Sequence, residues 1–144
     1  MPRLDAYVTF NGNCLEAFDF YKSIFGGEYN LMGRFSDMPP SPDYTVGEED
    51  KDRVMHITYP IGEHHNLMGS DTFKVQGDQM VVGTNVTLSY GLKDHAEADR
   101  IFAALSEGGQ VNMPMSNTFW QSYFGMLTDK FGIQWMISAD PKPE

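Results

Sequence analysis

Asn13-Cys14-Leu15-Glu16-Ala17-Phe18-Asp19-Phe20-Tyr21-Lys22-Ser23-Ile24-Phe25-Gly26-Gly27 and Asp94-His95-Ala96-Glu97-Ala98-Asp99-Arg100-Ile101-Phe102-Ala103-Ala104-Leu105-Ser106-Glu107-Gly108-Gly109 are two versions of one pattern. Each opens on a good helix cap, Asn13 or Asp94, with a glutamate three residues on, Glu16 or Glu97, as in a capping box. Leu15, Phe18, Tyr21, Ile24 and Phe25 recur at helical spacing in the first. Ala98, Ile101, Phe102 and Leu105 do so in the second. Each closes on a glycine pair, since glycine turns left-handed past a helix end without a Cβ penalty. The pattern predicts helices over Cys14–Phe25 and His95–Glu107. Laid over each other, Asn13 falls on Asp94, Glu16 on Glu97, Ala17 on Ala98, Tyr21 on Phe102 and Ile24 on Leu105.

The flanks extend the repeat. A strand-like run precedes each helix, Leu4–Phe10 and Asn85–Tyr90, and three follow it. In the first half these are Glu28–Phe35, Arg53–Ile61 and His65–Ser70; in the second, Gln110–Met115, Ser122–Thr128 and Ile133–Ser138. Ile61-Gly62-Glu63 and Asp129-Lys130-Phe131-Gly132 read as tight hairpin turns. Polar Asp71–Gly83 reads as the linker between halves. The run Ser36–Asp52, with Pro39, Pro40 and Pro42, is long enough for a lid, an interface arm or a disordered loop. The tail Pro141–Glu144 is expected to fray. Two sheets with one helix each leave a face that must be buried. The expectation is a single α+β domain, 1–144, of two β-α-β-β-β modules, 1–76 and 77–144. Their curved mixed sheets would pair around a cavity, where ligands tend to bind between repeats.

With 41% apolar and 13% aromatic residues in 144, the chain has the composition of a folded protein with a real core. A net charge of −10 argues against nucleic acid and anionic membranes, which require clustered Lys and Arg. No apolar run approaches a membrane span, and Met1-Pro2-Arg3-Leu4-Asp5 leads into no signal-peptide core. One cysteine, Cys14, rules out an internal disulfide framework. It suits a reducing compartment, so the expected address is the cytoplasm.

Several short motifs run in order along the whole chain. They are Asn11-Gly12-Asn13-Cys14, Phe20-Tyr21, Phe25-Gly26-Gly27, Met55-His56 and Ser70-Asp71, then Thr118-Phe119-Trp120, Phe124-Gly125, Thr128-Asp129-Lys130-Phe131-Gly132 and Trp135-Met136. On this ordered set the chain resembles the vicinal oxygen chelate superfamily of glyoxalase I, extradiol dioxygenases and bleomycin-resistance proteins, and within it the PhnB-like branch. The resemblance implies a glyoxalase/bleomycin-resistance-like fold, commonly as a homodimer. It also implies, in metal-using members, His, Gln or Glu ligands on the first and last strands of each half. Those places hold Ala6 or Tyr7, Met68 or Gly69, Asn85, and Met136. Thioethers are too soft for a hard divalent ion, and Asn85 alone cannot hold one. No cofactor and no metal ligand is therefore expected, although a divalent ion held by other residues stays open. PhnB-like sequences are also labelled demethylubiquinone methyltransferases, but no glycine-rich strand-to-helix loop of the nucleotide-binding kind supports that here.

Among titratable groups, His56 in Val54-Met55-His56-Ile57-Thr58 is the candidate catalytic or ligand-binding residue. It faces away from the helix if Met55 and Ile57 face toward it. His64-His65 point to opposite sides of a strand and read as a solvated turn. Cys14 reads as a small buried helix residue and Phe124 as core. Trp120, in a loop, is a ligand candidate, with Trp135 and the methionines forming an aromatic, adaptable lining. The candidate ligand-binding set is His56, Met68, Asn85, Trp120, Trp135 and Met136. The expected function is binding of a small apolar or aromatic molecule. The alternatives are a lyase, isomerase or dioxygenase-type enzyme using His56, and a structural or regulatory homodimer.

Overall fold

In the computed structural model, which describes residues 2–143, the helix pattern holds almost to the residue: α1 spans Cys14–Phe25, and α3 spans His95–Ser106. Around them run β1 (Ala6–Phe10), β2 (Leu31–Arg34), β3 (Val54–Pro60), β4 (Asn66–Asp71), β5 (Leu88–Gly91), β6 (Gln110–Asn117), β7 (Tyr123–Thr128) and β8 (Gln134–Ala139). The chain divides into two compact units, Met1–Val81 and Val82–Glu144. Each holds one four-stranded sheet, ordered β1-β4-β3-β2 and β5-β8-β7-β6. In both, the first strand lies parallel to the last and the other pairings are antiparallel. The fold is α+β, and neither sheet closes into a barrel.

Period-two alternation decides which side of each sheet meets its helix. In the first unit Ile57, Tyr59, Leu67, Gly69 and Asp71 are buried, and α1 sends Cys14, Ala17, Phe18, Tyr21 and Ile24 to meet them. In the second, Trp135, Ile137 and Ala139 alternate on β8 and Leu127 and Gly125 on β7, under Ala98, Ile101, Phe102 and Leu105 of α3. Each unit places one aliphatic and one glycine side by side beneath the helix. Ile57 pairs with Gly69, and Gly125 with Ile137, so the large and small partners have exchanged strands. The glycines make room for rings. A Cβ on Gly69 would lie 2.8 Å from Phe18, and one on Gly125 2.8 Å from Phe102.

The two helix starts are capped by different means. Asp94 caps α3 itself, accepting from the backbone N–H of Ala96 at 3.0 Å. Asn13 makes no such bond with its side chain. The Asp71 carboxylate, at the end of β4, reaches across instead and accepts from Gly12 N at 2.9 Å and Cys14 N at 3.0 Å. Glu97 does not close a box either; its carboxylate pairs with Arg100. Past the helices Gly26, Gly27 and Gly108 all have positive φ, as the stop signals require.

Other segments differ from the reading above. β5 begins at Leu88, and Asn85 lies in an exposed bend before it, where β-propensity is overridden by a Gly-Thr-Asn turn. The linker contains a short helix, α2 (Lys74–Gly77), docked on the first unit. Its Gly77 sits against the Asn11 side chain, close enough that no Cβ fits between them. The 36–52 loop is folded on itself. It opens with a 3-10 turn at Phe35–Asp37, and the Tyr44 hydroxyl donates to Pro39 O at 2.7 Å. It encloses about 320 Å³ lined by Met38, Pro39, Tyr44 and Val46. The tail is pinned, with Lys142 N donating to Asn117 Oδ1 at 2.9 Å and Asn117 Nδ2 to Lys142 O at 2.8 Å. Glu144 lies outside the described residues.

Two measurements check this packing. Gly69→Ala forces a methyl to 2.7 Å from the Val8 carbonyl oxygen. Urea unfolding should show a loss of about 1–3 kcal/mol. Gly47→Ala meets only the flexible Glu49 carboxylate and should stay within about 0.5 kcal/mol of the parent. Tyr123, which donates to Asp99 Oδ1 at 2.6 Å, is held up to about 12, chiefly by that hydrogen bond and secondarily by burial. A raised tyrosine pKa means that the bond's stabilisation is complete below the ordinary value near 10. It should then be lost as pH rises through about 12, and tyrosinate absorbance should report the transition.

Candidate functional site

On each sheet the face away from the helix carries the side chains free to meet a ligand. In the first unit Tyr7, Met68, Thr58 and Leu31 are direct partners across β1, β4, β3 and β2, so they form one row. His56 stands in the next row, opposite Gly33 on β2, on the same side as Thr58. This is the face expected for His56, because Ile57 and Tyr59 turn to α1. Thr58 Oγ1 lies 2.7 Å from His56 Nε2, and the Tyr7 hydroxyl lies 3.4 Å from Nδ1. The two rings are 5.6 Å apart between centroids. A hydroxyl both donates and accepts, so Thr58 supports either imidazole tautomer. The longer Tyr7 contact leaves Nδ1 open to exchange for a ligand group, and Tyr7 is 49% exposed.

Behind this face lies a buried polar frame. Asp71, 5% exposed, accepts from Val54 N at 2.9 Å as well as from Gly12 and Cys14. It thereby fixes the start of β3 two residues before His56. Arg53 donates from Nη1 to Asn11 Oδ1 at 3.0 Å and to Thr72 O at 2.9 Å. Buried Asp50 lies 3.7 Å from the Arg53 Nε and accepts from Lys74 N at 2.8 Å. The Asn11-Gly12-Asn13-Cys14 and Ser70-Asp71 motifs are thus structural. Cys14 is fully buried, and burial, with the neighbouring Asp71 charge, pushes its thiol far above the usual range. It is a core residue and no nucleophile.

In the second unit the corresponding row is Ser89, Met136, Met126 and Met113 across β5, β8, β7 and β6. Phe124, opposite Ser138, takes the place that His56 has in the first. Trp120 stacks edge-on to Phe124 at 5.7 Å and to Phe119 at 4.9 Å. Phe119 and Trp120 are 91% and 53% exposed on the β6–β7 hairpin, where Gln121 is the one non-glycine with positive φ among the described residues. Beside the hairpin an open cleft of about 410 Å³ is lined by Gly91, Lys93, Gln121, Ser138 and Asp140.

The expected site residues therefore separate. His56 and Met68 share the free face of the first sheet, and Met136 and Trp120 lie on that side of the second. Trp135 is 2% exposed under α3, its indole N–H donating to Asp129 Oδ2 at 2.9 Å. Asn85 lies outside its sheet, and the register puts Ser89 where a ligand on β5 would stand. His64 and His65 are exposed at the β3–β4 turn. The sequence carries no local sign of Tyr7 as a partner of His56, or of Met113 and Met126 as neighbours of Met136. Thr58 was findable, since it follows His56 by one strand period.

The places implied for metal ligands hold Tyr7 and Met68 on one sheet and Ser89 and Met136 on the other. A phenol, a hydroxyl and two thioethers do not fit a hard divalent ion. Among the described residues, no group of three or more His, Cys, Asp or Glu is arranged to hold a metal. Nor is any helix long and apolar enough to cross a membrane.

Comparison with known proteins follows the same outline. The model of the family described as 3-demethylubiquinone-9 3-methyltransferase matches residues 3–138. Protein YjdN of Escherichia coli (strain K12) is 31% identical over 143 residues, covering 96% of this chain and 95% of that protein. Protein PA1353 from Pseudomonas aeruginosa is 36% identical with a TM-score of 0.80, covering 99% of this chain and 100% of that one. A PhnB protein from Bacillus cereus, titled a putative 3-demethylubiquinone-9 3-methyltransferase, shares the fold at 23% identity and a TM-score of 0.71, covering 96% and 99%. So does the fosfomycin resistance protein FosX from Listeria monocytogenes, at 10% identity and a TM-score of 0.63, covering 100% and 94%.

The state of Cys14 can be checked directly. Native protein should react with a chromogenic disulfide reagent only as slowly as it unfolds, and urea should release the thiol stoichiometrically. Rapid reaction of folded protein would contradict its burial.

Proposed function

Because the chain belongs to the PhnB-like family of the glyoxalase, bleomycin-resistance and fosfomycin-resistance superfamily, we propose that it binds a small, mostly apolar or aromatic molecule through the free face of its first sheet. His56 is the polar anchor in this reading. The observation that carries it is the His56–Thr58–Tyr7 cluster, an imidazole held by one hydroxyl and only loosely by another on the sheet face opposite α1. Met68 and Leu31 in the adjoining row supply apolar area, and thioethers adapt to irregular ligands. An anchor hydrogen bond beside such area gives orientation as well as affinity.

Methyl transfer, which the family description names, has less support. The strand-to-helix loops 11–13 and 92–94 are three residues long with one glycine, Gly12, between them. Neither resembles a cradle for a nucleotide-like methyl donor. The same reading takes the two units as modules of one domain, in a cytoplasmic homodimer.

Native mass spectrometry of purified protein, with elemental analysis, tests the proposal. It should report a co-purified organic molecule and a dimer. His56→Ala should weaken recapture of that molecule about tenfold, the scale of one lost hydrogen bond to a ligand. A stoichiometric divalent metal, with an activity lost on chelation, would replace this reading with an enzymatic one.

A further inference from the structure

The row on the free face of the second sheet is unusual in its chemistry. Met136, Met126 and Met113 are direct Cα partners on three adjacent strands, β8, β7 and β6. Paired positions point to the same side, and adjacent strands lie about 4.8 Å apart. The three Cα positions therefore stand abreast, close enough for side chains this flexible to bring their thioethers to a common point. The flanking residues confirm the side. Trp135, Ile137 and Leu127 are buried under α3. β6 shifts register on both sides of Met113, and the extra residue between Met113 and Ser116 lets Met115 lie near Gly125 and Phe102 on the helix face while Met113 stays opposite Met126. Met113 is 45% exposed, and Met126 and Met136 are partly exposed, so all three can be approached from solvent.

We propose that Met113, Met126 and Met136 form a soft-donor site for a monovalent cation of the Cu(I) or Ag(I) type. Thioethers select such ions and discriminate against hard divalent ones. The fourth member of the row is Ser89, and no cationic side chain stands in the row to repel an ion. A chain of net charge −10 raises the local cation concentration. The one thiol, Cys14, is fully buried in the other unit. The site is independent of His56, so its test leaves the reading above untouched.

The experiment uses the full chain labelled with [methyl-13C]methionine and titrated anaerobically with Ag(I), and in parallel with Cu(I) held by bicinchoninate. One equivalent should bind and move the methyl signals of Met113, Met126 and Met136, leaving those of Met115 and Met55 in place. Met126→Leu and Met136→Leu should each weaken binding about tenfold or more, the scale on which metal sites respond to a lost partner. Met113→Leu, at an exposed edge position, provides the same test without risk to folding. Cys14→Ala should leave binding intact. No uptake in competition with bicinchoninate, shifts confined to other residues, loss of binding in Cys14→Ala, or full binding in Met113→Leu would each overturn the proposal. An apolar molecule that binds this row while the cation does not would assign the methionines a purely hydrophobic role.

Discussion

The buried carboxylate of Asp71 is the interaction on which the first unit's geometry depends. A charge removed from water is tolerated only when its oxygens are fully hydrogen-bonded. Here the donors are backbone N–H groups of Gly12, Cys14 and Val54, taken from the entrance of α1 and the start of β3. One side chain at the end of β4 thus joins a helix and two strands. Because side chains alternate, anchoring Val54 sets the phase of β3. A slip of one residue would turn His56 and Thr58 inward and bring Ile57 and Tyr59 out.

The second unit reaches the same topology without that device. Ala139 ends β8 where Asp71 ends β4, and the capping work is done locally by Asp94. Asp129 serves instead in the β7–β8 turn, accepting from Phe131 N at 2.9 Å and Ile133 N at 3.0 Å, and it holds the indole of Trp135. Two carboxylates with different addresses therefore brace one repeated scaffold. The two outward faces differ in chemistry. His56, Thr58 and Tyr7 make one polar and titratable. Phe124 and the methionine row make the other soft and apolar.

Much of this is legible in the sequence. Helical spacing and glycine stops located α1 and α3 because those signals are local, lying within a few residues of each other. Alternation on β3 sets His56 on the side away from Ile57 for the same reason, and the burial of Ile57 under α1 decides which face that is. Where the tertiary structure departs from these local signals, a partner distant in sequence or a shifted strand boundary is the reason. Asn13 was a sound local cap, but a carboxylate distant in sequence took its place. Trp135 resembled a lining aromatic, yet its strand phase and the Asp129 partner sent it to the core. Asn85 was counted into a strand that begins three residues later, at Leu88.

By itself the sequence determined the α+β class, the repeat, both helices and that His56 faces away from Ile57 on its strand, because each follows from periodicity and capping along the chain. Only the tertiary structure decided which residues stand beside one another. Strand register, set by pairings between segments far apart in sequence, put Tyr7 of β1 beside His56 of β3 and lined up Met113, Met126 and Met136. No local pattern encodes such neighbours, since they exist only once the strands have paired.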